Sequence, residues 1–107
     1  VTNCGKLVNL DMIGNRTGGI SFGPKQVVLF IGQNKIVPDL ASAMERIRNH
    51  AAPLNAKRHN FPTPCAKTGQ CHACNSPKRI CNSWSILDKC YPPGRIKIVL
   101  IEGAFGL

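Results

Sequence analysis

The sequence has few acidic residues, few aromatic residues and no long hydrophobic run. Five aspartates and glutamates stand against 14 lysines and arginines, which gives a formal net charge of +9. Aromatic residues make up 6% of the chain, too few to alternate with the bases as stacking on nucleic acid requires, so we do not expect a nucleic-acid partner. No apolar run is long enough to span a membrane and no signal peptide opens the chain, so we expect a cytoplasmic protein.

Recognisable catalytic motifs are also missing. The chain contains no paired carboxylates, no nucleophile elbow and no Walker phosphate-binding loop. The excess of basic residues is compatible with a phosphate-bearing or otherwise anionic partner, but charge alone does not identify it. The sequence therefore leaves open whether this protein is an enzyme.

Four of the six cysteines are concentrated in residues 64–82, which we call the cysteine knuckle: Cys65, Cys71, Cys74 and Cys81. The central two form a CxxC pair, in which a bend brings two thiolates onto one metal ion. The two flanking cysteines would complete a tetrahedral site of the kind that zinc prefers. An iron–sulfur cluster is also held by four cysteines, and the sequence does not separate these two cofactors.

Disulfide bonds and unligated thiols are the alternatives to metal binding in this segment. Clustered cysteines with a CxxC pair, outside a small secreted scaffold, favour metal over disulfides. His72 lies between two better ligands, so we expect it to face solvent rather than replace one of them. Cys4 and Cys90 lie far from the cluster in sequence, and we expect both to be free thiols.

A polar turn follows the first predicted strand, residues 7–11. In open α/β sheets, ligands bind beyond the carboxyl ends of the strands, so we predict ligand contacts at Asp11, Gly14, Asn15 and Arg16. The guanidinium of Arg16 is able to bind a carboxylate or phosphate through two hydrogen bonds. The alternative is that Asp11 and Arg16 form a structural ion pair that fixes the turn.

A second polar turn follows the apolar run QVVLFIG at residues 26–32. Its continuous apolar character predicts a central parallel strand that is buried on both faces. Asn34 and Lys35 come directly after it, where they would contact an anionic ligand. The alternative for these two residues is a solvated loop.

The rest of the chain predicts an α/β domain with a mainly parallel sheet. A helix is predicted to begin at Pro38 and Asp39 and to stop at Pro53, and a strand, turn and helix in this order make half of a βαβ unit. Residues 52–64 have no clear period. The segments SWSILD at 83–88 and RIKIVLI at 95–101 are predicted to pair as a C-terminal β-hairpin.

Several segments together resemble the C-terminal half of the lactate-utilisation (LUD) domain family: LVNLDMIGNR, NKIVPDL, APLNAKR and the cysteine knuckle. The resemblance implies a fold of the NagB/RpiA/CoA-transferase type and a role in lactate or related organic-acid utilisation, beside iron–sulfur oxidoreductase subunits. Family members are longer, so residues 1–107 are expected to form a single, partial LUD-type domain. A small organic acid or a phosphate-bearing molecule is the expected ligand.

A partial domain would expose apolar sheet edges and faces, so we expect either a homo-oligomer or association with a missing N-terminal half. One function of another class stays open. In that hypothesis the protein is a non-catalytic basic zinc-knuckle module that binds nucleic acid or an acidic protein partner.

Overall fold

The computed structural model describes all 107 residues. The strands are β1 (Leu7–Asp11), β2 (Val27–Gly32), β3 (Ser83–Leu87) and β4 (Ile96–Ile101). The helices are α1 (Asn15–Ser21), α2 (Leu40–Arg46), α3 (Ala52–Arg58) and α4 (Pro64–Thr68); a 3₁₀ turn (Gln33–Lys35) follows β2, and a π-helical turn (Ile47–Ala51) joins α2 to α3. None of these helices has both the length and the apolar character needed to span a membrane.

The strands form two separate two-stranded sheets. In one, β1 runs antiparallel to β3, with Leu7 opposite Leu87. In the other, β2 runs parallel to β4, with Val27 opposite Ile96. The α/β class is therefore confirmed, whereas a mainly parallel sheet is not, because one pair is parallel and the other is antiparallel.

The predicted C-terminal hairpin is wrong, since β3 and β4 each pair with an earlier strand. The loop between them contains Pro92 and Pro93, which have no N–H groups to donate in a tight turn. The strand patterns favour the observed partners. Both β2 and β4 are nearly continuous apolar runs, which is typical of parallel pairs.

The predicted helix start is confirmed, and the predicted stop is wrong. Asp39 caps α2 by accepting a hydrogen bond from the backbone N–H of Ser42 at 2.8 Å. The helical path then continues beyond Pro53 to Arg58. Pro53 has no N–H to donate to the preceding turn, and the π-helical turn widens the backbone at that place, so the helix proceeds instead of ending. Residues 52–58 are therefore helical rather than irregular.

The buried core is small, with 13 of 107 residues buried. One cluster joins α3 to the end of the knuckle, where Ala52 and Ala56 pack against Ile80. The prediction that β2 is buried on both faces is wrong, because Phe30 is 68% exposed and Val28 is also exposed. Val28 and Phe30 alternate along β2 and therefore share one face, which lacks cover, whereas Ile31 on the other face is buried.

Candidate functional site

Asp11, at the carboxyl end of β1, is buried with 2% of its surface exposed and is used inside the fold. One carboxylate oxygen accepts hydrogen bonds from the backbone N–H groups of Arg16 and Thr17, at 2.9 and 2.8 Å. The other oxygen accepts from the Nε of Arg16 at 2.8 Å. Asp11 thus satisfies the free N–H groups at the start of α1, and the structure has the ion pair that was the alternative to ligand binding.

These contacts also set the protonation state of Asp11. Burial alone would raise the pKa of the carboxyl group, but the hydrogen bonds from Thr17 and Arg16, together with the Arg16 charge, outweigh it and leave the pKa below its usual range. Gly14 adopts a left-handed backbone with φ of 87°, which allows the sharp entry into α1. Asp11 and Gly14 therefore shape the turn, while the Arg16 side chain remains 67% exposed.

The second predicted ligand site, after β2, likewise contains one residue that holds the fold, Asn34, and one that lies at an open space, Lys35. The side chain of Asn34 holds the C-terminal segment: its Oδ1 accepts from the N–H of Phe105 at 3.2 Å and its Nδ2 donates to the carbonyl of Gly106 at 3.4 Å. Gly32 is required beside this contact, because a Cβ there would lie 2.8 Å from the backbone nitrogen of Phe105. Lys35 instead lines an open cleft.

This cleft, of about 690 Å³, separates the β1–β3 sheet from the β2–β4 sheet. It brings together Asn15 and Arg16, which follow β1, with Lys35, which follows β2. Arg46 and Arg58 add two further basic side chains, and no aspartate or glutamate lines it. The cleft is therefore a basic, partly apolar space of a size typical of ligand sites.

The four cysteines of the knuckle line one small cavity of about 30 Å³. Cys65 lies on α4, Cys71 and Cys74 lie on the following loop, and Cys81 lies just before β3. No disulfide joins any of them. No three histidine, cysteine or acidic side chains stand close enough together to hold a metal ion in this arrangement. The cavity thus gathers the predicted ligands without enclosing a coordination sphere.

Two of the four sulfurs accept or share hydrogen bonds with neighbouring groups. The N–H of Ala73 points at the sulfur of Cys71, with a donor–acceptor distance of 3.4 Å, and Ala73 adopts φ of 47° to make this turn. The Thr63 hydroxyl lies 3.4 Å from the sulfur of Cys65. Hydrogen bonds to sulfur are a common outer support of thiolate sites.

Arg79 supports the knuckle and was missed by the sequence reasoning. Its guanidinium donates to the backbone carbonyls of Cys74 and Cys81, at 2.7 and 2.8 Å. Its Nε is buried and has no hydrogen-bond partner. Because its partners are backbone carbonyls, no pattern of side-chain types in the sequence indicates this role.

Arg48 is the second basic side chain at the cysteine cavity. It reaches there from the π-helical turn, and its guanidinium lies 5.5 Å from the ring centre of Trp84. Burial raises the pKa of the Cys81 thiol, and the charges of Cys65, Cys71 and Cys74 raise it further, while the charge of Arg79 acts in the opposite direction.

The remaining cysteines lie outside the cavity. The sulfur of Cys4 lies 3.2 Å from the Thr2 hydroxyl, and this hydrogen bond lowers the pKa of Cys4. Hydrogen bonds from backbone N–H groups, first that of Ile96, lower the pKa of Cys90. His72 does line the cavity, and its Nε2 is paired with the Thr68 hydroxyl at 2.6 Å.

The fold and these two sites define a small α/β domain with a basic cleft and a cysteine-lined cavity. A family model described as the LUD domain matches residues 1–101. Since this match covers nearly the whole chain, the chain belongs to the LUD domain family, as the sequence resemblance implied. Membership points to a function related to lactate utilisation. No curated protein and no solved structure matched the chain.

Proposed function

We propose that this protein takes part in the utilisation of lactate or a related organic acid, through a small anionic ligand in the cleft and a metal held by the cysteine knuckle. The family match over residues 1–101 is the observation that carries this proposal. The basic lining of the cleft supports it, because Arg16 and Lys35 meet there from the ends of two strands.

In this proposal, Arg16 and Lys35 bind the ligand, and Asn15 offers a polar side chain beside them. Arg16 is held by Asp11 through its Nε, so its position is fixed before the ligand arrives. Asp11, Gly14 and Asn34 act indirectly, because their polar groups are used in shaping the two turns. The predicted ligand set thus divides into three contact residues and three supporting residues.

The cysteine knuckle supplies four thiolates from one short segment: Cys65, Cys71, Cys74 and Cys81 would hold the metal. A bound zinc ion would serve as a structural cross-link, whereas an iron–sulfur cluster would supply electron transfer. The cavity, of about 30 Å³, has room for little more than a water molecule. Its size favours a single ion, so we propose zinc ahead of a cluster.

Charge and hydrogen bonding support the same site. Four thiolates around one divalent ion carry two net negative charges, and two arginines line the cavity, Arg48 and Arg79. Arg79 ties the backbone on both sides of the loop, and the Ala73 N–H donates to the Cys71 sulfur. These contacts suit a thiolate site, because they hold the loop in place and donate a hydrogen bond to sulfur.

The test is metal content and an ultraviolet–visible spectrum on protein purified without oxygen. We expect the wild type to carry stoichiometric metal and the double variant Cys71→Ser with Cys74→Ser to lose it. Cys4→Ser with Cys90→Ser is the matched control, because it also removes two cysteines but lies outside the cavity. It is expected to keep the metal.

The identity of the metal separates the two forms of the proposal. Colourless zinc supports a structural knuckle, and iron with acid-labile sulfide supports a redox role for it. Metal-free protein with six free thiols would refute metal binding.

Ligand binding in the cleft is tested by titration with lactate and with inorganic phosphate. We expect Lys35→Ala to bind these anions more weakly than Lys89→Ala, which alters an exposed lysine outside the cleft.

A further inference from the structure

The four cysteines of the knuckle divide into two pairs by their packing. Cys65 and Cys81 pack against the buried cluster that joins α3 to the end of the knuckle. Cys71 and Cys74 lie outside this packing, in residues 71–76, which form neither helix nor strand. One pair is therefore anchored to the core, whereas the other belongs to an irregular loop.

The loop pair is the more accessible one. Cys71 is exposed and Cys74 is half-buried. An accessible first thiol and a more covered second one are the arrangement of a reactive CxxC pair, in which the first attacks and the second closes the disulfide. Arg48 and Arg79 line the same cavity, and no acidic residue does. Positive charge beside a partly exposed sulfur is typical of reactive cysteines.

The backbone between the two loop cysteines allows them to meet. Ala73 adopts a left-handed φ of 47°, so the chain turns between them. The N–H of Cys71 donates to Asn49 at 3.0 Å, and the carbonyl of Cys74 accepts from Arg79 at 2.7 Å. These bonds hold both ends of the CxxC segment without using either sulfur. A disulfide requires Cα atoms within about 7 Å, which three residues span once the chain turns.

We propose that Cys71 and Cys74 form a disulfide on oxidation by hydrogen peroxide, and that this disulfide releases the metal. The Cys71 thiolate attacks one peroxide oxygen, so that an S–O bond forms, the O–O bond breaks and hydroxide leaves. The Cys74 thiolate then attacks the Cys71 sulfur, so that the S–S bond forms, the S–O bond breaks and a second hydroxide leaves. Two thiolates thus give two electrons to one peroxide, and the hydroxides take protons from solvent to become water.

The release of metal rests on the proposed function of the knuckle. The disulfide removes two of the four thiolates, and the anchored pair, Cys65 and Cys81, does not complete a tetrahedral site. Reduction by a dithiol reagent regenerates both loop thiolates. The redox state of the loop pair therefore decides whether the knuckle holds its metal.

Peptide mapping of the full chain distinguishes this disulfide from every other pairing. Trypsin cleaves after Lys67 and Lys78, so Cys71 and Cys74 share the peptide 68–78, which contains no other cysteine. The proposed disulfide makes this single peptide lighter by two hydrogen atoms, whereas any other pairing joins two peptides or alters a different one. We expect the lighter peptide to be the main product of peroxide treatment without oxygen, and dithiothreitol to reverse it.

Metal is measured before and after peroxide with a colorimetric indicator, which separates this proposal from the proposed function. We expect release to follow disulfide formation. Metal that stays bound after the 68–78 disulfide has formed would overturn the switch and leave the metal site standing. Protein that carries no metal before treatment would refute the metal site, while the map still decides whether the loop pair oxidises. A main product that involves Cys65 or Cys81 would overturn the proposal in either case.

Two matched variants test the order of the steps, since each removes one cysteine of the same loop. In Cys74→Ser we expect Cys71 to stop at the sulfenic acid, which dimedone traps. In Cys71→Ser we expect at least about tenfold less trapping, because Cys74 is less accessible. Equal trapping in both would contradict attack by Cys71. Cys4→Ser with Cys90→Ser is the control, and it is expected to leave the oxidation of peptide 68–78 unchanged.

Discussion

Asp11 and the four knuckle cysteines differ in how far their polar atoms are hydrogen-bonded inside the fold. Both oxygens of the Asp11 carboxylate have donors within the chain, at the start of α1 and on Arg16. The cysteine sulfurs border a shared cavity, and only those of Cys65 and Cys71 have a hydrogen-bonding neighbour. A polar group whose bonds are complete inside the protein stabilises the fold, whereas polar groups that converge on a space without pairing are available to a ligand.

The largest expected effect follows from removing the carboxylate. Asp11→Ala leaves two backbone N–H groups and Arg16 without their acceptor, and we expect a loss of about 2 to 3 kcal/mol in the free energy of unfolding. The estimate is at the low end for a buried ion pair because the Arg16 side chain is largely exposed. Urea unfolding followed by circular dichroism measures the loss.

The matched control for this substitution is Asp88→Ala. Asp88 is exposed and forms an ion pair with Lys6 on the surface, where such pairs contribute little. We expect its unfolding midpoint to stay close to that of the wild type. If both substitutions destabilise the protein equally, Asp11 has no special structural role and the comparison with the cysteines fails.

A smaller effect is expected from acid. Because the pKa of Asp11 is lower in the folded chain than in the unfolded chain, the unfolded chain takes up the proton first as the pH falls. The stability from this carboxylate is complete above about pH 4, near the ordinary aspartate pKa, and is lost as the pH falls through the lower folded pKa. The unfolding midpoint should therefore decrease between mildly acidic pH and about pH 3.

Asp11→Asn should show a shallower decrease over the same range. Some slope is expected to remain, because hydrogen bonds from Ser42 also lower the pKa of Asp39, which is unchanged in this variant. Chemical unfolding at a series of pH values provides the measurement. A slope equal to that of the wild type would assign the acid sensitivity to other groups.

Arg79 allows the metal affinity of the cysteine knuckle to be tested without changing a cysteine. Arg79→Ala removes the two bonds to the carbonyls of Cys74 and Cys81, and we expect about 10- to 100-fold weaker metal binding, as is usual for outer supports of a metal site. Competition with a chelator measures the affinity. Lys78→Ala is the control, because Lys78 is the exposed neighbour. Full affinity in Arg79→Ala would confine this arginine to packing.

The smallest effect is expected at His72. Its ring nitrogen is paired with the Thr68 hydroxyl at the end of α4, and we expect His72→Ala to keep the full metal content. Metal analysis beside the cysteine double variant tests this expectation. Loss of metal in His72→Ala would instead show that His72 is a metal ligand in place of one of the four cysteines.

Local patterns in the sequence predicted the strands and the helix start. The strand at residues 7–11 and the cap at Asp39 depend on neighbours close in the chain, and both are present in the structure. Strand pairing was not predictable in the same way. Partners are chosen by packing across the whole chain, so the hairpin of β3 with β4 was expected from proximity alone and was wrong.

The candidate sites also differ in whether their features depend on nearby residues or on the whole fold. Cysteine spacing pointed to residues that the fold places around one cavity, because CxxC constrains its own loop. The position of Asp11 after a strand suggested a ligand, yet its partners, the N–H groups of α1, are visible only once that helix is in place. Arg79 was missed because it acts through backbone carbonyls, which leave no pattern of side-chain types.

The π-helical turn has a consequence for the rotational phase of the two helices that it joins. In an uninterrupted α-helix, Ala43 and Ala52 would lie on opposite sides, about 180° apart. A π-helical turn absorbs one residue, which reduces this angle to about 80° and places both alanines on the cleft side. Both α2 and α3 therefore place a small side chain on the same wall of the cleft, because of a single extra residue in the turn before Pro53.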